Sequence, residues 1–476
     1  MSEIQFILDD KQITVDFSEK LYSPTTTLLK YLRSLKDHKG VKEGCGEGDC
    51  GACTVVVAEE INGKLMYKAI DSCLVFLPWV HGKQVITVEG LGTSANLHPV
   101  QKAMVDMDGS QCGFCTPGFV MSIFAIYKSY KKPNEDVIRD ALAGNLCRCT
   151  GYRPIIDAAK EACKLRKPDQ FSESEKKVVR ILKGIKKQGS VKLLLETHKY
   201  WMPETAEEAI SIRRKNKKAL LVSGATDVAL RVTKKHENIP EIIDLSFIDS
   251  IKEIVTKDGY IHIGAGLSLE MLRQEIRNDL PALSDMLDVF GSKQIRSKAS
   301  LGGNIGSASP IGDTLPVLMA YDAIINLQGV KGIRSVRLRE FIKGYRTIDM
   351  KSDEIIAFVS VPVPDKKVIY KSYKISKRTD LDISTVSACF SLKLKKNIVE
   401  EFSAFYGGMA AQTSNAAKAS KYLLNKEWNL ENIEHAAKLI DQDFSPISDA
   451  RSGAEARKIM ARNLLLKFFN NVHEKQ

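Results

Sequence analysis

Near the start of the chain apolar and polar positions alternate. "IQFILDDKQITVDF" is two period-two runs about Asp9-Asp10-Lys11 and predicts two strands joined by a turn. "TTLLKYLRSL" shifts to a helical period, and "KQVITVEGL" returns to a strand. Four helical patterns follow, "HPVQKAMVDM", "TPGFVMSIFAIYKSY", "NEDVIRDALAG" and "YRPIIDAAKEACKL", with Pro117 and Pro154 near the first turns of the second and fourth. From about residue 200 the texture becomes αβ alternation. "YWMPETAEEAISI" begins a helix behind a proline, "KALLVSGATDVALRV" is a buried strand running into a glycine turn, and "YIHIGAGLSLEMLRQEI" repeats strand, turn and helix. Beyond about 367, "YKSYKISKRTDLDISTVSACFSLKL" is strand-rich, while "NIEHAAKLIDQDF" and "GAEARKIMARNLLLKFFNNV" are helical.

At 476 residues, 44% hydrophobic and 27% charged, the chain has room for three or four globular domains. Apolar runs such as "GFVMSIFAIY" and "CLVFLPWV" reach about half the roughly 20 residues of a membrane-spanning helix, so no membrane segment is expected. Lys and Arg outnumber Asp and Glu by 70 to 58. Much of the excess falls at 164 to 192, with ten basic and three acidic residues, which reads as a solvated basic linker over 166–194. No reader motif accompanies this charge, so nucleic acid is not an expected partner; anionic cofactors and an acidic partner surface are. The opening "MSEIQFILDD" lacks a secretory pattern. A reducing, cytoplasmic compartment is expected, where thiols hold metal or do redox work.

Eight of the ten cysteines lie between 45 and 149. Cys163 and Cys389 stand apart and read as buried small hydrophobes. Cys45, Cys50, Cys53 and, after a gap, Cys73 have the C-x4-C-x2-C…C spacing of a plant-type [2Fe–2S] cluster. Gly44, Gly46, Gly48 and Gly51 permit the bends by which a loop turns N–H groups toward anionic sulfur. With the flanking strands and helix, this order predicts a β-grasp ferredoxin domain. Structural zinc is the alternative, although zinc sites favour paired C-x2-C knuckles. Cys112 and Cys115 in "QCGFCTPG", with Cys147 and Cys149 in "NLCRCTG", form a second four, each pair opening a predicted helix. Two positive helix ends facing one anionic centre suit a second [2Fe–2S] cluster better than a zinc ribbon.

The two sets in this order, with "QCGFCTPG" and "CRCTGY", resemble the paired iron–sulfur domains of the molybdenum hydroxylases, the family of xanthine dehydrogenases and aldehyde oxidoreductases. The resemblance implies that Cys112, Cys115, Cys147 and Cys149 hold the molybdenum-proximal cluster, and Cys45, Cys50, Cys53 and Cys73 the flavin-proximal one.

Two further loops, "LLVSGATD" and "ASLGGNIGSASPIGD", offer small residues around which backbone N–H groups could close on a pyrophosphate; each alone is equally a structural turn. Gly264 and Gly266 lack the third glycine of a dinucleotide fingerprint and read as a tight turn, and "GATDVAL" has no P-loop lysine. Together the two loops are similar to the flavin-binding domain of the same family. That similarity places FAD phosphates on Leu221, Val222, Ser223, Gly224, Ala225, Thr226, Asp227 and Val228, and on Ser300, Leu301, Gly302, Gly303 and Asn304. Phe290, Asp313, Ile356 and Lys374 match family positions contacting the flavin or its adenosine. Ala225 departs from the Asn of the animal xanthine enzymes.

The expectation is therefore a multidomain α+β chain: a β-grasp [2Fe–2S] ferredoxin domain at 1–88, a helical, four-helix [2Fe–2S] domain at 89–165, the basic linker, an α/β FAD-binding domain at 195–366 and a small α+β C-terminal domain at 367–476. No stretch remains for molybdopterin. The resemblance implies the small subunit of a split enzyme, with two [2Fe–2S] clusters, FAD, NAD as acceptor and no catalytic acid or base of its own. Its partner would be a large molybdopterin-binding subunit, in a heterotetramer of two small and two large subunits. By resemblance the substrate is hypoxanthine or xanthine. An aldehyde, nicotinate or another heterocycle is the rival, and a non-catalytic zinc scaffold the alternative of another class.

Overall fold

The computed structural model describes residues 2–164 and 166–474; the expected domain edges at 1, 165 and 476 lie outside them. The chain forms two compact units, Met1–Glu204 with Lys218–Phe247 and Gly291–Ala299, and Thr205–Lys217 with Ile248–Phe290 and Ser300–Gln476. The FAD-binding span expected at 195–366 is thus divided between them.

The first unit begins with a five-stranded sheet in the order Lys11–Asp16, Glu3–Leu8, Gln84–Ile86, Thr54–Ile61, Lys64–Asp71. The hairpin about Asp9 is present, with Leu8 opposite Lys11. Asn62-Gly63, both left-handed, makes the tight turn whose twist suits antiparallel strands. Thr27 caps the helix Leu28–Ser34, which buries Leu28, Leu29, Tyr31 and Leu32. The helical part follows as Pro99–Asp106, Thr116–Ser129, Glu135–Leu142 and Arg153–Lys164, after a short turn of helix at Val88–Leu91. Thr116–Ser129 buries residues all round, as a central helix must. A second sheet, ordered Val191–Leu194, Lys199–Met202, Glu241–Asp244, Leu220–Val222, shares one apolar core with the first. Cys163 is buried in the helical core.

The expected solvated linker is corrected here. Gln170–Lys186 is a 17-residue helix. Phe171 joins the helical core, and Val178 and Leu182 pack with Ile7, Ala58 and Leu65 of the first sheet. Glu175 accepts a hydrogen bond from Leu65 N at 2.9 Å. Asp169 caps the helix at Ser172 N. Its buried carboxylate also meets His98 Nε2 at 3.2 Å and Lys128 Nζ at 2.8 Å.

In the second unit a five-stranded antiparallel sheet runs Ile254–Lys257, Tyr260–Gly264, Ile355–Pro362, Ile324–Gly329, Gly332–Arg337. Asp258-Gly259 supplies another left-handed hairpin turn. Gly264 and Gly266 bring backbone against Ile251, which accounts for that turn structurally. The C-terminal part is a sheet of Val368–Ile375, Val386–Lys395, Ile398–Gly407 and Ser414–Asn415 with three helices, packed around Phe390, Trp428 and Phe468. Cys389 is buried there. No helix among the described residues is long and apolar enough to cross a membrane.

Burial by itself would raise the Asp169 pKa, but hydrogen bonds from His98 and Lys128 hold it well below the usual carboxylate range. Its stabilising contribution is therefore complete above the unfolded value of about 3.9 and lost as pH falls through the depressed folded value. Asp169→Ala leaves Lys128 buried without its carboxylate and is expected to cost about 3 kcal/mol at pH 7. Urea midpoints should fall, and the acid loss of stability between pH 5 and 2 should be shallower than in the parent, about 2 kcal/mol less in this range; unchanged midpoints would contradict this role.

Candidate cofactor sites

Cys45 and Cys50 sit on a bent loop in which Gly46, Gly48 and Gly51 all have left-handed φ. The bends turn the N–H groups of Glu47 and Asp49 onto Cys45 Sγ, at 3.4 and 3.3 Å. Cys53 ends the loop at the strand Thr54–Ile61, and Cys73 lies on the single turn Ser72–Leu74, tied back by Ser72 Oγ to Cys53 O at 2.7 Å. Cys53 and Cys73 are buried and Cys45 and Cys50 partly so. Cys45 is within hydrogen-bonding reach of Cys50, and Cys53 of Cys73; Cys73 also reaches Cys45. Hydrogen bonds from Cys50 and Cys73, then from the loop N–H groups, hold the Cys45 thiol far below its ordinary pKa.

The second four is built on helix starts. Cys115 is the N-cap of Thr116–Ser129, and Cys147 and Cys149 stand just before Arg153–Lys164. Here too the thiols stand in pairs, Cys112 with Cys149 and Cys115 with Cys147. Thr150 donates to Cys147 Sγ from its hydroxyl at 3.2 Å and its backbone N–H at 3.5 Å. Cys112 and Cys149 are exposed. Among the described residues no three His, Cys, Asp or Glu side chains group as a single metal ion requires. Thiols arranged two by two, with N–H donors and positive helix ends beside them, fit a dinuclear iron–sulfur centre in which each iron takes two thiolates.

The two fours are joined by backbone. Leu146 N, next to Cys147, donates to Cys50 O at 3.0 Å. Asn145 Nδ2 donates to Gly51 O at 3.0 Å and to Thr54 Oγ1 at 3.2 Å. Its Oδ1 accepts from Ser122 Oγ at 2.6 Å and from Gln294 Nε2 at 2.9 Å. A Cβ on Gly51 would overlap Gly144 O, and one on Gly118 would overlap Gly51 O. Gln294 belongs to the short helix Lys293–Arg296, whose Arg296 pairs with Asp140 at 2.5 Å.

The loops expected to receive FAD are each well braced. In the first unit the strand Leu220–Val222 ends at Ser223-Gly224-Ala225, and Thr226, Asp227 and Val228 lead into the helix Ala229–Thr233. Gly224 and Ala225 have φ of 86° and 59°. A side chain on Gly224 would overlap Lys298 O. Lys298 Nζ donates to Gly224 O at 2.6 Å. Ser246, fixed by Asp244, accepts from Gly224 N at 3.5 Å, and Tyr200 fixes Asp244 at 2.7 Å.

In the second unit Ser300 caps Leu301–Gly306 through Gly303 N at 3.1 Å, and Gly302 lies against Ala265. Thr314 Oγ1 donates to Asn304 Oδ1 at 2.6 Å. Lys374 Nζ donates to Asp313 Oδ2 at 3.0 Å and to Val289 O, next to Phe290, at 2.9 Å, while Ser384 fixes the other Asp313 oxygen. Ile356 lies buried on Ile355–Pro362, which packs against Leu301–Gly306. Small residues with fixed N–H groups beside a lysine suit a pyrophosphate and its flavin.

Sequence reading missed Lys298, Asn145, Gln294, Thr150, Asp244 and Ser384. Only Asn145 and Thr150 carried a local signal, lying within "NLCRCT" beside the cysteines.

Four family models tile the chain: a 2Fe-2S iron-sulfur cluster binding domain at 7–74, a [2Fe-2S] binding domain at 87–160, the FAD binding domain in molybdopterin dehydrogenase at 195–364, and the CO dehydrogenase flavoprotein C-terminal domain at 371–472. Similar curated proteins include xanthine dehydrogenase/oxidase of Rattus norvegicus, 30% identical over 99% of this chain and 39% of its own length. Xanthine dehydrogenase of Emericella nidulans is 31% identical over 98% and 38%, and aldehyde oxidase 3 of Mus musculus 30% identical over 99% and 39%. The chain thus spans about two fifths of the length of these relatives. Among solved structures, a carbon monoxide dehydrogenase of Hydrogenophaga pseudoflava matches with TM-score 0.55 and 21% identity, over 57% of this chain and 96% of that one. Quinoline 2-oxidoreductase of Pseudomonas putida 86 matches with TM-score 0.54 and 19% identity, over the same shares.

Protein isolated without air should carry about four irons and four sulfides, two per thiol four. On reduction it should show two unlike paramagnetic signals, because Cys45 is held by loop N–H groups and Cys147 by Thr150 at a helix start. Stoichiometric zinc in fresh native protein would contradict this.

Proposed function

Because the chain belongs to the molybdenum hydroxylase family, as its iron–sulfur and FAD part, we propose that it is the electron-transfer subunit of a split, cytoplasmic xanthine dehydrogenase. In this reading a large molybdopterin-binding subunit hydroxylates hypoxanthine and xanthine to urate. This chain passes the electrons to NAD+, within a heterotetramer of two small and two large subunits. Iron–sulfur clusters carry electrons singly, and a flavin gathers two for a hydride.

The chain's own residues position and tune. Cys112, Cys115, Cys147 and Cys149 would hold the molybdenum-side cluster, and Cys45, Cys50, Cys53 and Cys73 the flavin-side one. The FAD loops would be Leu221 to Val228 and Ser300 to Asn304, with Phe290, Asp313, Ile356 and Lys374 beside the flavin. No acid or base of this chain acts on substrate. The observation that supports the relay most is the Leu146 N to Cys50 O bond, which leaves one hydrogen bond and two short covalent stretches between thiols of the two fours. Aldehyde oxidase 3 is about as similar as the xanthine enzymes, so oxidation of an aldehyde is the second reading.

The test pairs stopped-flow flavin reduction by NADH with a urate assay, each with and without the large subunit. NADH should reduce the flavin in both cases, and urate should form only in the complex. Purine hydroxylation by this chain alone would overturn the split arrangement. Aldehyde turnover without urate would move the substrate, and no reduction by NADH would move the acceptor.

A further inference from the structure

Lys298 is 6% exposed, and among the described residues no carboxylate forms an ion pair with it. Its ammonium donates to Gly224 O at 2.6 Å and stands 4.3 Å from the centre of the Trp79 ring. Lys83, also buried, stands 4.6 Å from the same ring and 4.8 Å from Phe247. Lys83 has Glu59 at 3.7 Å, but Glu59 is shared with Lys68 at 2.6 Å. The charged groups facing Lys298 are therefore Lys83 from the turn after Leu77–Val80, Glu59 from the strand Thr54–Ile61 and Asp244 from Glu241–Asp244. Lys298 and Lys83 thus stand about one ring with Asp244 and Glu59 facing them, and Lys298 itself is held by a carbonyl and a ring rather than by an ion-paired carboxylate; a buried charge is tolerated when something compensates it. The loop that Lys298 clamps is the one read as the first FAD phosphate loop.

We propose that Lys298 is a positioning residue for the FAD diphosphate, its ammonium holding the Gly224 carbonyl inward, so that the loop's N–H groups face the phosphates, and contributing the cation that the bound diphosphate balances. This rests on the flavin reading of the loop. The clamp works from both sides, since Lys298 O fills the space where a Gly224 side chain would go. Burial, with Lys83 nearby, lowers the Lys298 pKa to about 8 in the absence of the diphosphate. Protonated Lys298 is the binding form, so FAD affinity should be level below about pH 8 and fall above it.

The experiment removes FAD from the full chain and measures rebinding by flavin fluorescence from pH 6.5 to 9.5, with cluster absorbance as the check of folding. Lys298→Met, of similar shape without charge, should bind FAD about tenfold or more weakly at pH 7, the scale of a hydrogen bond to a charged group, with a flat pH profile. Lys298→Arg, charged throughout the range, should bind more tightly than Lys298→Met and lack the decline above pH 8. A parent chain that binds FAD beside a Lys298→Met chain that binds it equally tightly overturns this inference alone. So does a parent profile level through pH 9.5. A parent chain that takes up no FAD at any pH overturns the flavin reading itself and this inference with it.

Discussion

Three stretches of backbone meet where only glycine leaves room: the loop at Gly51, the turn at Gly144 and the helix at Gly118. The placing of one cysteine site against the other depends on that contact. With the backbones this close, Leu146 N reaches Cys50 O and the Asn145 amide reaches Gly51 O. The Asn145 carbonyl oxygen is occupied by Ser122 and Gln294, so the amide is satisfied at both ends in the interior, where an unmet polar group would cost about 1–3 kcal/mol. A side chain on either crossing glycine would push the two thiol fours apart. The contact thus sets the spacing of two sites that the chain builds on unlike elements, a loop over a sheet and a pair of helix starts.

Two groups of basic residues stand in unlike physical settings. On the surface, the lysines of Gln170–Lys186 lie outside an apolar stripe that packs on the first sheet, and they leave the fold's energetics largely to Phe171, Val178 and Leu182. In the interior, Lys83 and Lys298 both stand over the Trp79 ring. Surface charges of this kind contribute little to stability and are screened by salt. Buried cations instead depend on what faces them, here the Trp79 ring, the Gly224 carbonyl and the carboxylates of Glu59 and Asp244.

Much was legible in the sequence wherever the informative residues are near one another along the chain. The cysteine spacings, the prolines that open helices and the Asp9 hairpin are local patterns, and local geometry follows from them. The glycines of "GCGEGDCGAC" announced a loop bent toward its own sulfurs. The helix Gln170–Lys186 was misread because charge dominated its composition, although Phe171, Val178, Leu182 and Ile185 were spaced for one face. Leu146 with Cys50, Gln294 with Asn145 and Lys298 with Gly224 could not be read, since each pair is brought together only by the fold and a single sequence records no pairing. The division of 195–366 between two units is hidden for the same reason.

The Gly51–Asn145 contact holds the two cysteine sites at one fixed spacing, as electron exchange between them requires. Paramagnetic resonance of the fully reduced protein tests it directly, because magnetic interaction between two reduced clusters depends steeply on their separation. The parent protein should show resolved splitting of both signals. Asn145→Ala, with its iron content retained, should show an altered or collapsed splitting and slower equilibration of electrons between the clusters. Identical splitting and rates in the two proteins would contradict the account.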